Sequence, residues 1–182
     1  MKIIEAISDT NIGGAGILLL ERLCSRPEYK EKTVVLLPKY SRLAERLKEK
    51  GITVAELPLK PNTSFNIVDT LKIISFLKDN PADIINTHGF LSARIAAYFC
   101  KVPIKICTRH CAFDIAKRYK YAPIKKLLGA INSSLSDIFI AVAVAARENL
   151  LDMGIKKDKI RVIVNGGKRP AKFIWVSNPP NF

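Results

Sequence analysis

Apolar residues along the chain alternate between two rhythms. Short continuous runs of Ile, Val and Leu recur, and between them apolar positions are spaced three and four residues apart. Residues 2–8 (KIIEAIS) read as a strand, followed by the glycine turn Asn11-Ile12-Gly13-Gly14-Ala15-Gly16 and a helix-compatible stretch ending near Pro27. A second strand is expected at Thr33–Pro38, then a helix capped by Ser41, carrying Leu43 and Leu47 one turn apart and stopped by Gly51. Residues 53–59 supply a third strand. The next helix starts at Asn66, with Asp69 near its positive end and Ile67, Leu71 and Ile74 on one face, and Asn80-Pro81 ends it.

The second half repeats the scheme. Residues 83–88 (DIINTH) are a fourth strand, and the helix over residues 91–100 places Leu91, Ile95, Tyr98 and Phe99 on one stripe. Residues 104–110 are a fifth strand, and Pro123 suits the first turn of a further helix. Residues 137–143, a helix ending at Met153-Gly154, and residues 161–165 complete a sixth and a seventh strand. Continuous apolar strands alternating with helices define an α/β fold, a doubly wound, Rossmann-like parallel sheet covered on both faces. Such sheets bind ligands at the carboxyl ends of their strands.

Length and composition sharpen this. The 182 residues suit one domain, and 48% hydrophobic against 25% charged residues is globular rather than disordered composition. Thirty Lys and Arg against sixteen Asp and Glu give a net charge of +14, which brings anionic partners into view. The cysteines (Cys24, Cys100, Cys107, Cys111) sit in or beside apolar runs, which suits reduced thiols and a cytoplasmic location. Glu5 interrupts the apolar start, so no signal peptide is expected, and the run Ile138 to Ala146 is too short to span a membrane.

Several sites are excluded by spacing. The glycine turn has Leu19 where a dinucleotide fingerprint needs its third glycine, and Pro38-Lys39 stands where an acidic residue would be required. Gly167-Lys168 is followed by Arg169, which fails the Walker motif. Cys107, His110 and Cys111 fit no closed zinc spacing, so no metal and no cofactor are expected. No nucleic-acid-binding motif accompanies the charge. The glycine turn is open to two readings, a backbone approach to an anion at a helix amino end or a tight connection needing positive φ. The basic stretch with Lys117, Arg118, Lys120, Lys125 and Lys126 likewise reads as an anionic-membrane contact or as a solvated face over a core-facing stripe. His88 and His110, the two histidines of the chain, end the fourth and fifth strands, the rim where ligand contacts gather.

Taken in order, these motifs resemble the amino-terminal domain of family 4 glycosyltransferases. The resemblance rests on Asn11 to Ala15 after the first strand, Pro81 to His88, Val102-Pro103 before Thr108-Arg109-His110, Asp137 to Val142, Gly154, and Lys159 to Gly166. It implies the amino-terminal half of a GT-B fold over residues 1–167, with residues 168–182 a truncated tail whose 173–177 stretch matches the first strand of a donor-binding domain. It also implies that Gly13 and Gly14 lie near the donor diphosphate, that His110 is catalytic near the transferred sugar, and that His88 and Arg109 contact substrate. Gly16 and Ala143 depart from the family pattern, and the paired glutamates of the donor half have no counterpart after Gly167.

The function so implied is retaining transfer of a sugar from a nucleotide-diphosphate donor to a hydroxyl acceptor, a cell-envelope glycan or lipid-linked molecule. A donor-binding second domain or chain would be the partner, at the cytoplasmic face of the membrane. The alternative is a non-enzymatic binding or scaffolding module with the same fold.

Overall fold

The computed structural model describes residues 1–110 and 122–164, apart from the side chains at 122–126 and 128. Its strands are β1 (Ile3–Ile7), β2 (Thr33–Pro38), β3 (Thr53–Leu57), β4 (Ile84–His88), β5 (Ile104–Arg109), β6 (Ile138–Ala141) and β7 (Ile160–Val162). The helices are α1 (Gly14–Ser25), α2 (Pro27–Lys30), α3 (Arg42–Glu49), α4 (Ile67–Asp79), α5 (Leu91–Phe99), α6 (Ala122–Ser134) and α7 (Val144–Asp152), with a 3-10 turn at Lys157–Lys159. All strands are parallel, in the order β3-β2-β1-β4-β5-β6-β7. The doubly wound sheet read from the sequence is therefore the observed one, and its order reverses between β1 and β4, where such folds open a crevice.

Strand alternation sorts the core into two sides. Ile4, Ala6, Leu36 and Ile85 meet Ile73, Leu77, Ala93, Ala96 and Ala97 beneath α4 and α5. On the other side, Ile7, Val35 and Leu37 meet Leu19, Leu23, Leu43 and Leu47 beneath α1 and α3. A third cluster joins Cys107, Phe139, Ala141 and Ile160 to Ala146 and Leu150 of α7. Because successive side chains point to opposite faces, β1 with all five residues buried contributes to both sides.

Helix faces differ from the sequence expectation at two places. In α4, Ile67 and Leu71 are exposed, and the buried stripe is Asp69, Thr70, Ile73 and Leu77. Asp69 goes inward because its carboxylate accepts from the Lys60 amide, while Asn66 caps the helix through the Asp69 amide as expected. In α5, Tyr98 and Phe99 are exposed and the small residues Ser92, Ala93, Ala96 and Ala97 are buried. Small side chains let this helix lie close to the sheet, and that closeness outweighs the larger apolar area of the aromatic pair. Ser41 precedes α3 without a side-chain cap; its hydroxyl instead lies 3.5 Å from the Asp9 and Thr10 carbonyl oxygens.

The basic residues Lys117, Arg118 and Lys120, together with Cys111, Gly166, Gly167 and the tail 168–182, lie outside the described residues. Lys125 and Lys126 fall within α6, at positions whose side chains are also outside them. Where α6 meets the end of α7, Gly129 is buried against backbone: a Cβ built there would stand 2.5 Å from the Gly154 carbonyl oxygen. Gly129→Ala is expected to lower stability by about 1–3 kcal/mol despite the better helix propensity of alanine, because backbone cannot yield as a side chain can. Chemical denaturation with an unchanged m-value measures this, and an equal or higher midpoint would remove the argument.

Candidate functional site

The site grows from an acidic residue in the middle of β1. Glu5 is fully buried beneath α1 and α2, and a carboxylate removed from water needs a hydrogen bond for each lone pair. Four donors converge on it. Arg22 Nη2 (2.6 Å) and the Tyr29 hydroxyl (2.5 Å) donate to Oε1, while Asn86 Nδ2 (2.9 Å) and His88 Nε2 (2.8 Å) reach Oε2. The register explains the convergence, since Glu5 pairs with Asn86 across β1 and β4, and Asn86 and His88 share a side of β4. The Thr108 hydroxyl, from β5, donates to Asn86 Oδ1 at 2.8 Å.

His88 extends the network to the end of the sheet. Its Nδ1 lies 2.8 Å from His110 Nε2, and the two rings meet edge to edge, 24° from coplanar with centroids 5.1 Å apart. Both histidines line a cavity of about 840 Å³, with Leu18, Leu19 and Arg22 of α1 on one wall and Ile140, Val142 and Ile163 on another. Two buried polar atoms of these lining residues, Arg22 Nε and His110 Nδ1, have no hydrogen-bond partner among the described residues. Buried polar atoms are almost always satisfied, so two unpaired ones on residues that line the same cavity are exceptions.

The sequence-predicted residues therefore separate. His88 and His110 come together, although His88 is a buried link at 3% side-chain exposure rather than an open rim contact. Arg109, one residue before His110, faces the opposite side and donates to Asn149 Oδ1 of α7. Gly13 and Gly14 are not among the residues lining the cavity. Gly13 has extended backbone (φ −85°, ψ 176°), and a Cβ at Gly14 would meet nothing within 4 Å. A need for positive φ thus accounts for neither glycine.

Sequence reasoning missed Glu5, Arg22, Tyr29, Asn86 and Thr108. One signal was available: a lone acidic residue inside an otherwise apolar strand of a two-sided sheet must be paired. Among the described residues, no cluster of three or more His, Cys, Asp or Glu could hold a metal ion.

Protonation follows from these surroundings. Burial would raise the Glu5 pKa, but the hydrogen bond from His88, the Arg22 charge and the Tyr29 hydroxyl together bring it below the ordinary carboxylate value. Burial, with the carboxylate beside it, raises the Tyr29 phenol. Burial also pushes His110 down from 6.5 to about 4, with His88 and the Arg22 cation disfavouring a second proton on its ring and Glu5 favouring it.

Several solved structures share this fold. Anabaena HepE in complex with UDP and glucose matches at a TM-score of 0.68 and 18% identity, over 92% of this chain and 45% of that one. The lipopolysaccharide outer core galactosyltransferase WaaB, in its apo form, matches at 0.65 and 16%, over 94% and 47%. The UDP-GlcNAc 2-epimerase of Neisseria meningitidis bound to UDP-GlcNAc matches at 0.60 and 20%, over 89% and 46%. No curated protein matches. The chain spans less than half the length of these structures, and its sheet is the amino-terminal half of a GT-B fold. The family that defines it is equally plain: the Glycosyltransferase Family 4 pattern matches residues 26–166, and the chain belongs to that family.

The lowered pKa of His110 has a consequence for stability. Between pH 6.5 and about 4 the unfolded chain binds a proton at this ring that the folded chain refuses, so stability falls as pH falls through that window. The Glu5 contribution disappears only at lower pH, as its depressed carboxyl is finally protonated. Thermal melts across the window should show a falling Tm, with a shallower slope in His110→Gln. A Tm that holds constant from pH 6.5 to 4 would contradict the burial described here.

Proposed function

We propose that this chain forms the acceptor-side wall of a nucleotide-sugar-dependent glycosyltransferase, with His110 against the transferred sugar. The observation that carries the reading is His110, whose ring lines a cavity at the carboxyl end of a sheet whose family transfers sugars and whose buried Nδ1 has no partner among the described residues. The reaction is transfer from a nucleotide-diphosphate sugar to a hydroxyl, with retention, and a donor-binding half completes the cleft. Retention and the donor half come from the family resemblance. Gly13 and Gly14 serve the diphosphate: the open space over Gly14 and the amino end of α1 support a close backbone approach to an anion. Arg109, turned toward α7, contributes to substrate binding only through a donor half or a rearranged side chain. No metal or other cofactor enters this scheme.

The acceptor is a cell-envelope glycan or a lipid-linked molecule, met at the cytoplasmic face of the membrane. Among the described residues no helix is long and apolar enough to cross a bilayer, so contact is peripheral in this proposal, through Lys117, Arg118, Lys120, Lys125 and Lys126. No nucleic acid takes part.

Chemistry of this kind needs donor and acceptor held together in a closed, water-poor cleft, and positioning is worth ~7–11 kcal/mol of barrier. The 182-residue chain by itself is therefore expected to bind UDP-sugars weakly and to turn over none. Combined with a donor-binding half it should transfer sugar, and His110→Ala should lower kcat/KM roughly 10²-fold or more. Radiolabelled transfer measures both. Full activity of the combined protein with His110→Ala would sink the assignment, and binding without any transfer would favour a non-enzymatic module. Interconversion of UDP-GlcNAc epimers without an acceptor would instead favour the epimerase chemistry of the structurally similar enzymes.

Membrane contact is tested separately. Vesicles containing anionic lipid should retain the chain at low salt and release it as ionic strength rises to about 0.15 M, where the screening length is near 8 Å. Equal retention on neutral vesicles would remove this part of the proposal.

A further inference from the structure

We infer that Glu5 is a positioning residue that acts through His88 to hold His110 in the tautomer with its hydrogen on Nε2. His110, whose ring lines the cavity, is then left with a bare, buried Nδ1 able to act only as a hydrogen-bond acceptor.

The argument starts from what a carboxylate cannot do. Glu5 has no hydrogen to give, so each of its four neighbours must donate. Asn86 is thereby oriented with its NH₂ toward Glu5, which agrees with its Oδ1 accepting from Thr108. His88 must carry a hydrogen on Nε2. A neutral His88 then has a lone pair on Nδ1, and the 2.8 Å separation from His110 Nε2 requires one hydrogen between the two nitrogens. That hydrogen belongs to His110, which leaves its Nδ1 bare. This is the general rule that the hydrogen bond made by one ring nitrogen sets the state of the other, applied twice in series.

The alternative is a doubly protonated His88, donating from both nitrogens and reversing the polarity of His110. Charge argues against it. Arg22 already pairs with Glu5 at 2.6 Å, and a second cation at a side chain 3% exposed would leave one carboxylate facing two positive charges in a buried space. The other charged groups around the cavity are Glu21 and Arg26 on α1 and its end, and they offset one another in sign.

A bare Nδ1 can only accept, so the ligand group that suits it is a hydroxyl reaching it from the adjoining cavity, such as one of a sugar ring. That assignment of the ligand rests on the function proposed above; the tautomer does not. Without Glu5 the two rings have no fixed polarity, and each protonation pattern becomes nearly equal to its mirror.

Histidine-selective ¹⁵N labelling of the 182-residue chain gives two rings, whose long-range proton–nitrogen correlations report the tautomer of each without any ligand or activity. At neutral pH both rings should show the hydrogen on Nε2. In Glu5→Gln, Arg22 and Tyr29 hold the amide oxygen, so the amide NH₂ faces His88 and both rings should switch their hydrogen to Nδ1. A hydrogen on His110 Nδ1 in the unaltered chain overturns the inference, as does a folded Glu5→Gln variant whose rings keep their original tautomers. Should that variant fail to fold, the unaltered spectrum decides alone. Expected tautomers in a protein that transfers no sugar would refute the proposed function and leave the role of Glu5 standing.

Discussion

The buried carboxylate of Glu5 sets the terms for the structure around it. Desolvating one negative charge costs several kcal/mol unless donors replace water, and β1 lies in the middle of a sheet covered on both sides. The cost is met by drawing α1 (Arg22), α2 (Tyr29) and β4 (Asn86, His88) to a single point. The carboxylate therefore fastens two helices to two strands beside the place where the strand order reverses. Its energetic balance is delicate, because each donor is useful only while the other three are present.

From that point, polarity is passed outward. Glu5 orders His88, His88 meets His110 edge to edge, and His110 borders the cavity. A polar line through an apolar sheet is costly, and nothing about packing requires it. Buried ionic groups of this kind can often be replaced, as a complete set, by apolar residues of similar volume without loss of stability. What the line supplies is an imidazole whose orientation and hydrogen placement are settled before any ligand arrives, which is what preorganised chemistry demands.

The neighbouring part of the cavity is apolar and open. Ile140, Val142, Ile163 and Val164 line it, and Ile163 and Val164 are 56% and 68% exposed. The cavity joins that apolar wall to the imidazole, so a ligand with a polar group and an apolar body fits it.

The alternation of continuous apolar strands with helices determined the parallel sheet, and the spacing of His88 and His110 at strand ends marked one rim of it, because periodicity is local and readable. Helix faces were less legible: the larger side chains of α4 and α5 point outward, since an inward-facing carboxylate and close packing of small residues decided the orientation instead. Glu5 looked like a mere interruption of an apolar run. Only the tertiary structure gave it four donors from distant positions, the farthest of them, His88, 83 residues away, and only the alternation of β5 turned Arg109 away from the ring beside it. A residue type can announce that a buried charge needs partners, but which partners reach it depends on strand register and helix docking, quantities that exist only once the chain has folded.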